Sequence, residues 1–226
     1  MPDWFIPRAS SFAAEVDNLI LLVTVIVGVW FILSEGMFFW LMWRFRARDG
    51  QKAEYFTGDE PHLKRWITIP HGLIIFLDLF IIFGAVRVWY DIKLQQPEHD
   101  EIVRITAQQW AWVFQHAGPD NQLDTADDIS MVNEMHVQEG RTYQFELRSR
   151  DVIHSFSVPA FRLKQDMIPG RVIKGWFEPT RAGQYDIQCA EICGIGHGLM
   201  PAKVIVEGPA QHAAWLAEQA PSVASR

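Results

Sequence analysis

Cysteine is scarce in this chain. Only two of the 226 residues are cysteines, Cys189 and Cys193, so the fold does not depend on a framework of several disulfides. The sequence also has no internal repeat, no low-complexity tract and no C-x-x-C-H motif, which excludes a repeat array and a covalently attached haem c. Basic residues are few as well, and the formal net charge of −7 argues against a nucleic-acid partner.

Charged residues are almost missing from two long apolar runs, at about 19–43 and 66–88. Each run exceeds the roughly 20 residues that a helix needs to cross a hydrocarbon core. The first run is too long for a signal peptide, and neither a basic region before it nor a small-residue cleavage site after it is present. We therefore predict a hairpin of two transmembrane helices. The alternative is a soluble helical hairpin buried in a larger protein.

Basic residues indicate how this hairpin is oriented, because loops on the cytoplasmic side are rich in Lys and Arg. The N-terminal tail holds only Arg8. The loop between the runs holds Arg44, Arg46, Arg48, Lys52, Lys64 and Arg65. We expect a bacterial-type inner membrane protein with two spans and both termini on the periplasmic side. Glu35 and Asp78 lie within the runs, and acids at membrane depth usually face protein, so a larger membrane partner is expected.

The residues after Asp91 have the composition of a β-domain. Short stretches rich in β-branched and aromatic residues alternate with Gly, Pro and Asp. The predicted strands are 102–114, 130–137, 142–147, 152–158, 172–177, 184–188 and 203–206. This pattern predicts a Greek-key β-sandwich or barrel. The predicted domains are 1–92 for the tail and hairpin, 93–208 for the β-domain, and 209–226 for a C-terminal helix and tail.

Both cysteines lie in one loop, "CAEICGIGHGLMP", together with His197 and Met200. Thiolate, imidazole and thioether form a soft ligand set that suits copper, whereas thioether is a poor zinc ligand. A redox dithiol would more often have C-x-x-C spacing, and a single blue copper needs one cysteine. Two bridging thiolates could hold two coppers, and a second imidazole is then required. The candidates are His99, His116, His136, His154 and His212, of which His154 in "DVIHSFSVP" leads.

The stretches "DVIHSFSVP", "KQDMIPGR" and "CAEICGIGHGLMP" together resemble subunit II of a haem–copper cytochrome c oxidase. The resemblance covers nearly the whole chain and implies a membrane hairpin followed by a cupredoxin-like domain with a dinuclear CuA centre. It implies a ligand set of Cys189 and Cys193 as bridges, His154 and His197 as end ligands, and Met200 and the Glu191 backbone carbonyl as weak ligands. The Glu191 carboxylate would bind a magnesium or manganese ion shared with subunit I.

The resemblance also implies an activity. Cytochrome c would deliver electrons one at a time to CuA, which passes them to haem in subunit I, where dioxygen is reduced and protons are pumped. Subunit I and subunit III are the expected membrane partners. The alternatives are the CuA subunit of a nitric oxide reductase and the copper-free subunit II of a quinol oxidase. A nitrous oxide reductase would normally add a propeller domain.

Electron delivery is assigned to "AQQWAWVF". Trp110 and Trp112 match the two tryptophans of the family's Trp-Tyr-Trp cluster, with Trp110 as the point where electrons arrive, while Ala111 replaces the tyrosine. Asp151 matches a family docking acid. From Leu94 onward the chain has 17 acidic and 11 basic side chains, a net charge of −6, which would attract a basic cytochrome c.

Two further features differ from known patterns, one from the pattern of the family and one from the EF-hand. Leu63 stands where family members often have a glutamate at the mouth of a proton channel. The stretch "GPDNQLDTADDI" carries Asp120, Asp124, Asp127 and Asp128. Its spacing does not match an EF-hand, so we expect a polar hairpin loop, with calcium binding or partner docking as alternatives.

Overall fold

The computed structural model describes residues 5–52, 55 and 57–219. The chain forms two compact units, one of residues 17–90 and one that combines the chain up to Val16 with the chain from Asp91 onward. The second unit is called the head below. The C-terminal tail, 220–226, lies outside the described residues.

The first unit is built from two long apolar helices. Helix α1 is Ala13–Arg44 and helix α2 is Pro61–Trp89, which a short π-helical turn, Tyr90–Leu94, extends. Both are long and apolar enough to cross a membrane, with mean hydropathy of 2.4 and 2.2 in their most apolar windows, and almost none of that surface is buried. Helices that are apolar all round belong in lipid or against a partner, as predicted for the runs 19–43 and 66–88.

The head is a sandwich of two five-stranded sheets in the described residues. The first sheet has the order β3-β2-β1-β5-β8 and the second β4-β10-β9-β6-β7. The strands are β1 Glu101–Gln108, β2 Ala111–His116, β3 Ile129–Val132, β4 Glu134–Gln138, β5 Tyr143–Ser149, β6 His154–Val158, β7 Leu163–Met167, β8 Ile173–Phe177, β9 Gly183–Cys189 and β10 Ala202–Glu207. Helix α3, Pro209–Gln219, follows the last strand.

The inner faces of the two sheets form one core. Along β5 the side chains of Tyr143, Phe145 and Leu147 are buried and their neighbours are not, as the two-residue period of a strand requires. Phe156 from the second sheet lies 6.4 Å from Phe145, measured between ring centroids. Burying each large apolar side chain contributes about 1.5–3 kcal/mol. This core supports the predicted cupredoxin-like sandwich.

Three details of the predicted strands were wrong. The stretch 102–114 is two antiparallel strands joined by a turn at Gln109 and Trp110, with Gln108 paired to Ala111. The stretch 130–137 is also two strands, because Asn133 between them adopts φ of 59°. Strand β7 was missed because only its first and last residues are buried, which leaves a polar sequence without strand alternation.

The N-terminal tail belongs to the head. Ala9 is fully buried and its backbone N–H and C=O both pair with head backbone groups. The Ser10 hydroxyl donates to the Phe161 carbonyl at 2.8 Å. Phe12 is 4% exposed and contacts Trp176 edge-on at 5.4 Å. The predicted domain bounds stay a prediction, but grouping the tail with the head was not expected from the sequence.

Candidate metal centre

The two cysteines meet because β9 ends at one of them and the following loop folds back. Cys189 is the last residue of β9, where it pairs with Phe156 of β6. The next residue, Ala190, donates its backbone N–H to the Ser155 carbonyl at 3.0 Å, which fastens the loop to β6. Cys193 is 2% exposed, and its Sγ lies 3.8 Å from Sγ of Cys189, with neither in a disulfide.

The predicted end ligands surround these sulfurs. Nδ1 of His154 lies 3.8 Å from Sγ of Cys189, and Nδ1 of His197 lies 3.6 Å from Sγ of Cys193. Sδ of Met200 lies 3.4 Å from Sγ of Cys193. Each cysteine sulfur therefore has a different imidazole nitrogen within 4 Å, and the roles of these histidines as ligands stay a prediction.

The Glu191 backbone carbonyl completes this donor set, with its oxygen 3.2 Å from Sγ of Cys189. Burial, with a smaller contribution from the neighbouring Cys189 sulfur, raises the pKa of the Cys193 thiol to about 11. Two adjacent thiolates are therefore unfavourable without a cation, and a metal that displaces the thiol protons would remove this penalty. The convergent soft donors fit two copper ions.

His154 is the predicted candidate that lies beside both cysteine sulfurs. It is fully buried, and its ligating atom lies within 4.8 Å of both cysteine sulfurs, the one such group of His, Cys, Asp and Glu in the described residues. Three of the other candidates, His116, His136 and His212, lie around Trp215 instead. They form a separate cluster where α3 packs on the sheets.

Asp151 holds His154 in one orientation. Its Oδ1 lies 2.8 Å from Nε2 of His154, and its Oδ2 accepts the backbone N–H of Gln109 at 2.6 Å. With Nε2 carrying the proton, Nδ1 presents its lone pair toward Cys189. Burial alone would raise the pKa of the Asp151 carboxyl, but its hydrogen bonds outweigh burial and leave the pKa below its ordinary value. The sequence analysis missed this positioning contact, which the D-x-x-H spacing could have indicated.

Trp110 lies in the turn between β1 and β2 rather than inside a strand. Its side chain is 37% exposed, and its Nε1–H donates to the Cys193 carbonyl at 3.3 Å. The indole lies directly against Gly196, where an added Cβ would be 2.3 Å from Cδ2. Trp112, in contrast, is fully buried and donates its Nε1–H to the Met200 carbonyl at 2.8 Å. A partly exposed and a buried tryptophan thus contact the same loop, one near its middle and one near its end.

The Glu191 carboxylate lies 3.4 Å from Nζ of Lys164. Both side chains are exposed. Among the described residues, Glu191 belongs to no group of three or more His, Cys, Asp and Glu side chains that could hold a metal ion. A magnesium or manganese ion here would take its remaining ligands from water or a partner, and this site stays a prediction.

The acidic loop is held by internal hydrogen bonds. Asp124 forms a two-pronged ion pair with Arg104 at 2.6 and 3.0 Å. The Thr125 hydroxyl donates to Asp127 at 2.8 Å. The described carboxylates of this loop form no convergent metal-binding group. This geometry favours the polar hairpin loop over a calcium site.

Known proteins resemble the chain along most of its length. A family model described as "Cytochrome C oxidase subunit II, periplasmic domain" matches residues 102–208. The chain is 31% identical to an alternative cytochrome c oxidase subunit 2 of Bradyrhizobium diazoefficiens, covering 96% of this chain and 84% of the relative. It is 28% identical to cytochrome c oxidase subunit 2 of Cereibacter sphaeroides, covering 96% and 79%.

A solved structure supports the fold. The periplasmic domain of subunit II of cytochrome oxidase (CoxB) of Bradyrhizobium japonicum matches with a TM-score of 0.50 and 29% identity, over 55% of this chain and 96% of that chain. The fold class and the family predicted from the three motifs are thereby confirmed. The chain belongs to the family of cytochrome c oxidase subunit II.

Proposed function

We propose that this chain carries a CuA centre and is the electron-accepting subunit of a haem–copper cytochrome c oxidase. The observation that carries the proposal is the pair of cysteine sulfurs 3.8 Å apart, flanked by imidazole nitrogens at 3.8 and 3.6 Å. Bound copper would supply one-electron redox chemistry shared across the two thiolates. The family supports the same assignment.

The protein's contribution is rigidity. Cys193, His154 and Met200 are almost completely buried. The loop backbone is hydrogen-bonded to β6 through the Ala190 N–H. The Cys193 carbonyl accepts hydrogen bonds from the side chains of Gln109 and Trp110 in the tryptophan turn. Side chains held this tightly keep their positions when the charge of the centre changes, so little rearrangement accompanies electron transfer.

Trp110 is the proposed arrival point for electrons from cytochrome c. Its indole is partly exposed and its Nε1–H contacts the carbonyl of Cys193, which is a short path from solvent to a bridging ligand. Subunit I would receive the electron at haem and carry out dioxygen reduction and proton pumping, with subunit III as a further partner. Glu191 would share magnesium or manganese with subunit I.

We further propose that both apolar helices span a bacterial inner membrane and that the head lies on the periplasmic side. The basic loop between the helices supports this orientation. The tail supports the presence of two spans, because Ala9 and Phe12 are part of the head core. The N-terminus and the head must therefore lie on the same side, as an even number of spans requires.

The test is an electron paramagnetic resonance and visible spectrum of the purified complex with copper, compared with its Cys189→Ser variant. We expect two coppers in this chain, a hyperfine pattern of one electron shared by both, and purple absorption, all lost in the variant. Asp120→Asn, in the acidic loop, serves as the matched control and should keep the spectrum. An ordinary mononuclear copper signal in the folded wild-type protein would contradict the proposal.

A further inference from the structure

A cavity of about 580 Å³ lies in the head, among the chain segments that lead into and out of the two apolar helices. Sites for small ligands typically have volumes of about 300–1,000 Å³. Three segments line the cavity: the tail with the first turn of α1, the chain that follows α2, and the end of β8. All of them belong to the head. The cavity is called the Trp176 cavity below, after its largest lining side chain.

Hydrogen bonds hold these three segments around the cavity. The Nε1–H of Trp176 is shared between the carbonyls of Ile92 and Gln95, each at 3.1 Å. The backbone N–H of Ser11 donates to the Glu178 carbonyl at 3.0 Å. The cavity is therefore formed before any ligand arrives, and a ligand that enters it meets little cost of ordering the protein.

Two aromatic rings line the cavity nearly at right angles to each other. The ring centroids of Phe12 and Trp176 are 5.4 Å apart, and their planes differ by 82°. Because the indole N–H is already bonded to backbone carbonyls, the Trp176 ring offers the cavity its π-system rather than a hydrogen-bond donor. Aromatic rings attract organic cations, and Trp attracts them most strongly. The rings therefore favour a ligand with an ammonium group.

Carboxylates give the same cavity a negative charge. Glu15, Asp91 and Glu178 line it, and none of the described lining residues is basic. In the part of the chain that the structure describes, the side chains of Glu15 and Glu178 form no ion pair and no hydrogen bond. The ammonium of the neighbouring Lys93 is engaged elsewhere, since it donates to Gln165 at 2.7 Å. The charge therefore also favours a cation.

The arrangement of the carboxylates separates an organic ammonium from a metal ion. Among the described residues, the three carboxylates belong to no group whose ligand atoms all lie within 4.8 Å of one another. A divalent metal needs several oxygen ligands that converge on one point. An ammonium group instead combines separate charged acceptors with contact to a ring. The cavity thus fits an organic ammonium.

The place of the cavity in the chain indicates where this ammonium comes from. Glu15 lies in the first turn of α1, and Asp91 lies in the π-helical turn that extends α2. With both helices spanning a membrane as proposed, these residues lie at the membrane surface, among the lipid headgroups. The Ser11 hydroxyl and the Gln95 amide also line the cavity, and both groups can donate to a phosphate.

We propose that the Trp176 cavity binds the ethanolamine headgroup of one phospholipid, with its ammonium held between the Trp176 ring and the carboxylates of Glu15 and Glu178. This inference goes beyond the proposed electron transfer and rests only on the two proposed membrane spans. An anionic lipid such as phosphatidylglycerol lacks the ammonium, and the same carboxylates would repel it. The site is therefore selective for the headgroup.

The test is native mass spectrometry of the purified, delipidated complex titrated with dioleoylphosphatidylethanolamine. The wild type is compared with the double variant Glu15→Gln and Glu178→Gln, which keeps the size of both side chains and removes their charge. We expect the variant to bind this lipid at the cavity at least about tenfold more weakly, because charge-assisted hydrogen bonds are lost. At a concentration that fills the wild-type site, the variant should therefore carry one ethanolamine lipid fewer. Asp120→Asn, in the acidic loop of the same head, is the matched control and should carry the wild-type number.

Equal numbers of bound ethanolamine lipid in the wild type and the double variant would overturn the inference. An equal loss of dioleoylphosphatidylglycerol would overturn it too, since the site would then not select the headgroup. Water-soluble glycerophosphoethanolamine distinguishes a lipid from a free amine. Binding of this probe as tight as that of the lipid, and lost in the same variant, would contradict the lipid assignment.

The proposed function is tested separately. The copper spectrum should be the same in the wild type and the double variant, because neither glutamate contacts the cysteine loop. A chain that leaves the membrane without detergent would refute the two spans and this inference together. A membrane-inserted complex with a normal copper spectrum and equal lipid numbers would contradict this inference alone.

Discussion

His154 reaches the sulfur pair with its ring orientation set by one carboxylate. Asp151 accepts three hydrogen bonds, from Nε2–H of His154 and from the backbone N–H groups of Gln109 and Val152. The same residue therefore links His154 to the tryptophan turn. Its docking role stays a prediction, whereas its contacts assign it a positioning role.

Asp151→Asn tests this positioning. An asparagine keeps the size of the side chain but has one acceptor oxygen, so either His154 or Gln109 loses its partner. We expect copper affinity to fall about 10–100-fold, the usual cost of losing such an outer contact. A copper chelator titrated against the purified protein measures this directly. Asp120→Asn is the matched control, and equal affinities in both variants would contradict the positioning role.

Several residues of the centre were predictable because their spacing is local. Cys189, Cys193, His197 and Met200 lie within twelve consecutive positions, and their chemistry identifies the metal class without a fold. The contact of Asp151 with Gln109 joins residues 42 positions apart. No local pattern encodes such a contact, so it required the structure.

At the scale of elements, the difference between local patterns and long-range contacts also explains which strands were predicted from the sequence. Stretches with alternating apolar residues, such as β5, were predicted almost to their ends. The turn at Gln109 and Trp110 has neither Gly nor Pro, and it is held by bonds to Asp151 and the Cys193 carbonyl. The stretch is rich in β-branched and aromatic residues and contains no turn-forming residue, and so its sequence predicts one long strand.

Helix α3 is fastened to the sheets by a buried polar cluster. Glu207 at the end of β10 contacts Nδ1 of His136 at 3.0 Å and Nδ1 of His212 at 2.9 Å. Trp215 of α3 stacks on His136 at 4.5 Å. His116 completes the cluster, and its buried Nε2 has no hydrogen-bond partner among the residues that the structure describes.

The cluster predicts acid sensitivity. Burial, followed by the nearby His136 and His212, lowers the pKa of His116 from 6.5 to about 3. Between these two pH values the unfolded chain binds a proton that the folded chain does not. The free energy of unfolding therefore falls as pH drops below 6.5 and is unaffected by this group above it. At pH 5.5 the loss is about 1.4 kcal/mol.

His116→Phe should remove this loss because the ring is retained and the proton site is not. The decrease in Tm between pH 7.5 and 5.5 should shrink by roughly 3–6 °C. Trp fluorescence of the detergent-solubilised protein during heating provides the measurement. An undiminished decrease would show that His116 is not the responsible group.

At the scale of the whole molecule, the chain leaves the head through α1 and returns to it after α2. The sequence predicted the helices and the β-domain because apolar run length and strand alternation are both local signals. It did not predict that the N-terminal tail packs into the head core, because Ala9 and Phe12 are only two apolar residues in a short segment. Their burial depends on partners more than 140 positions away, such as Ala160 and Trp176.

Phe12→Ala measures how much the tail contributes. Truncating a buried phenylalanine costs about 3–5 kcal/mol, so we expect a clearly lower Tm of the head. Phe45→Ala is the matched control, since Phe45 is 68% exposed and follows α1. Heating curves that follow the copper absorbance compare the two. Equal Tm values would mean that the burial of Phe12 does not stabilise the head.

The tail also sets an order of events during biogenesis. The ribosome makes residues 5–12 before the strands of the head, and Ala9 and Phe12 are part of the head's core. With both helices spanning a membrane as proposed, the core is complete only after the N-terminus has been translocated to the side where the head folds. A bulky fusion that keeps the N-terminus from crossing would leave a fully synthesised, membrane-inserted chain whose head lacks part of its core.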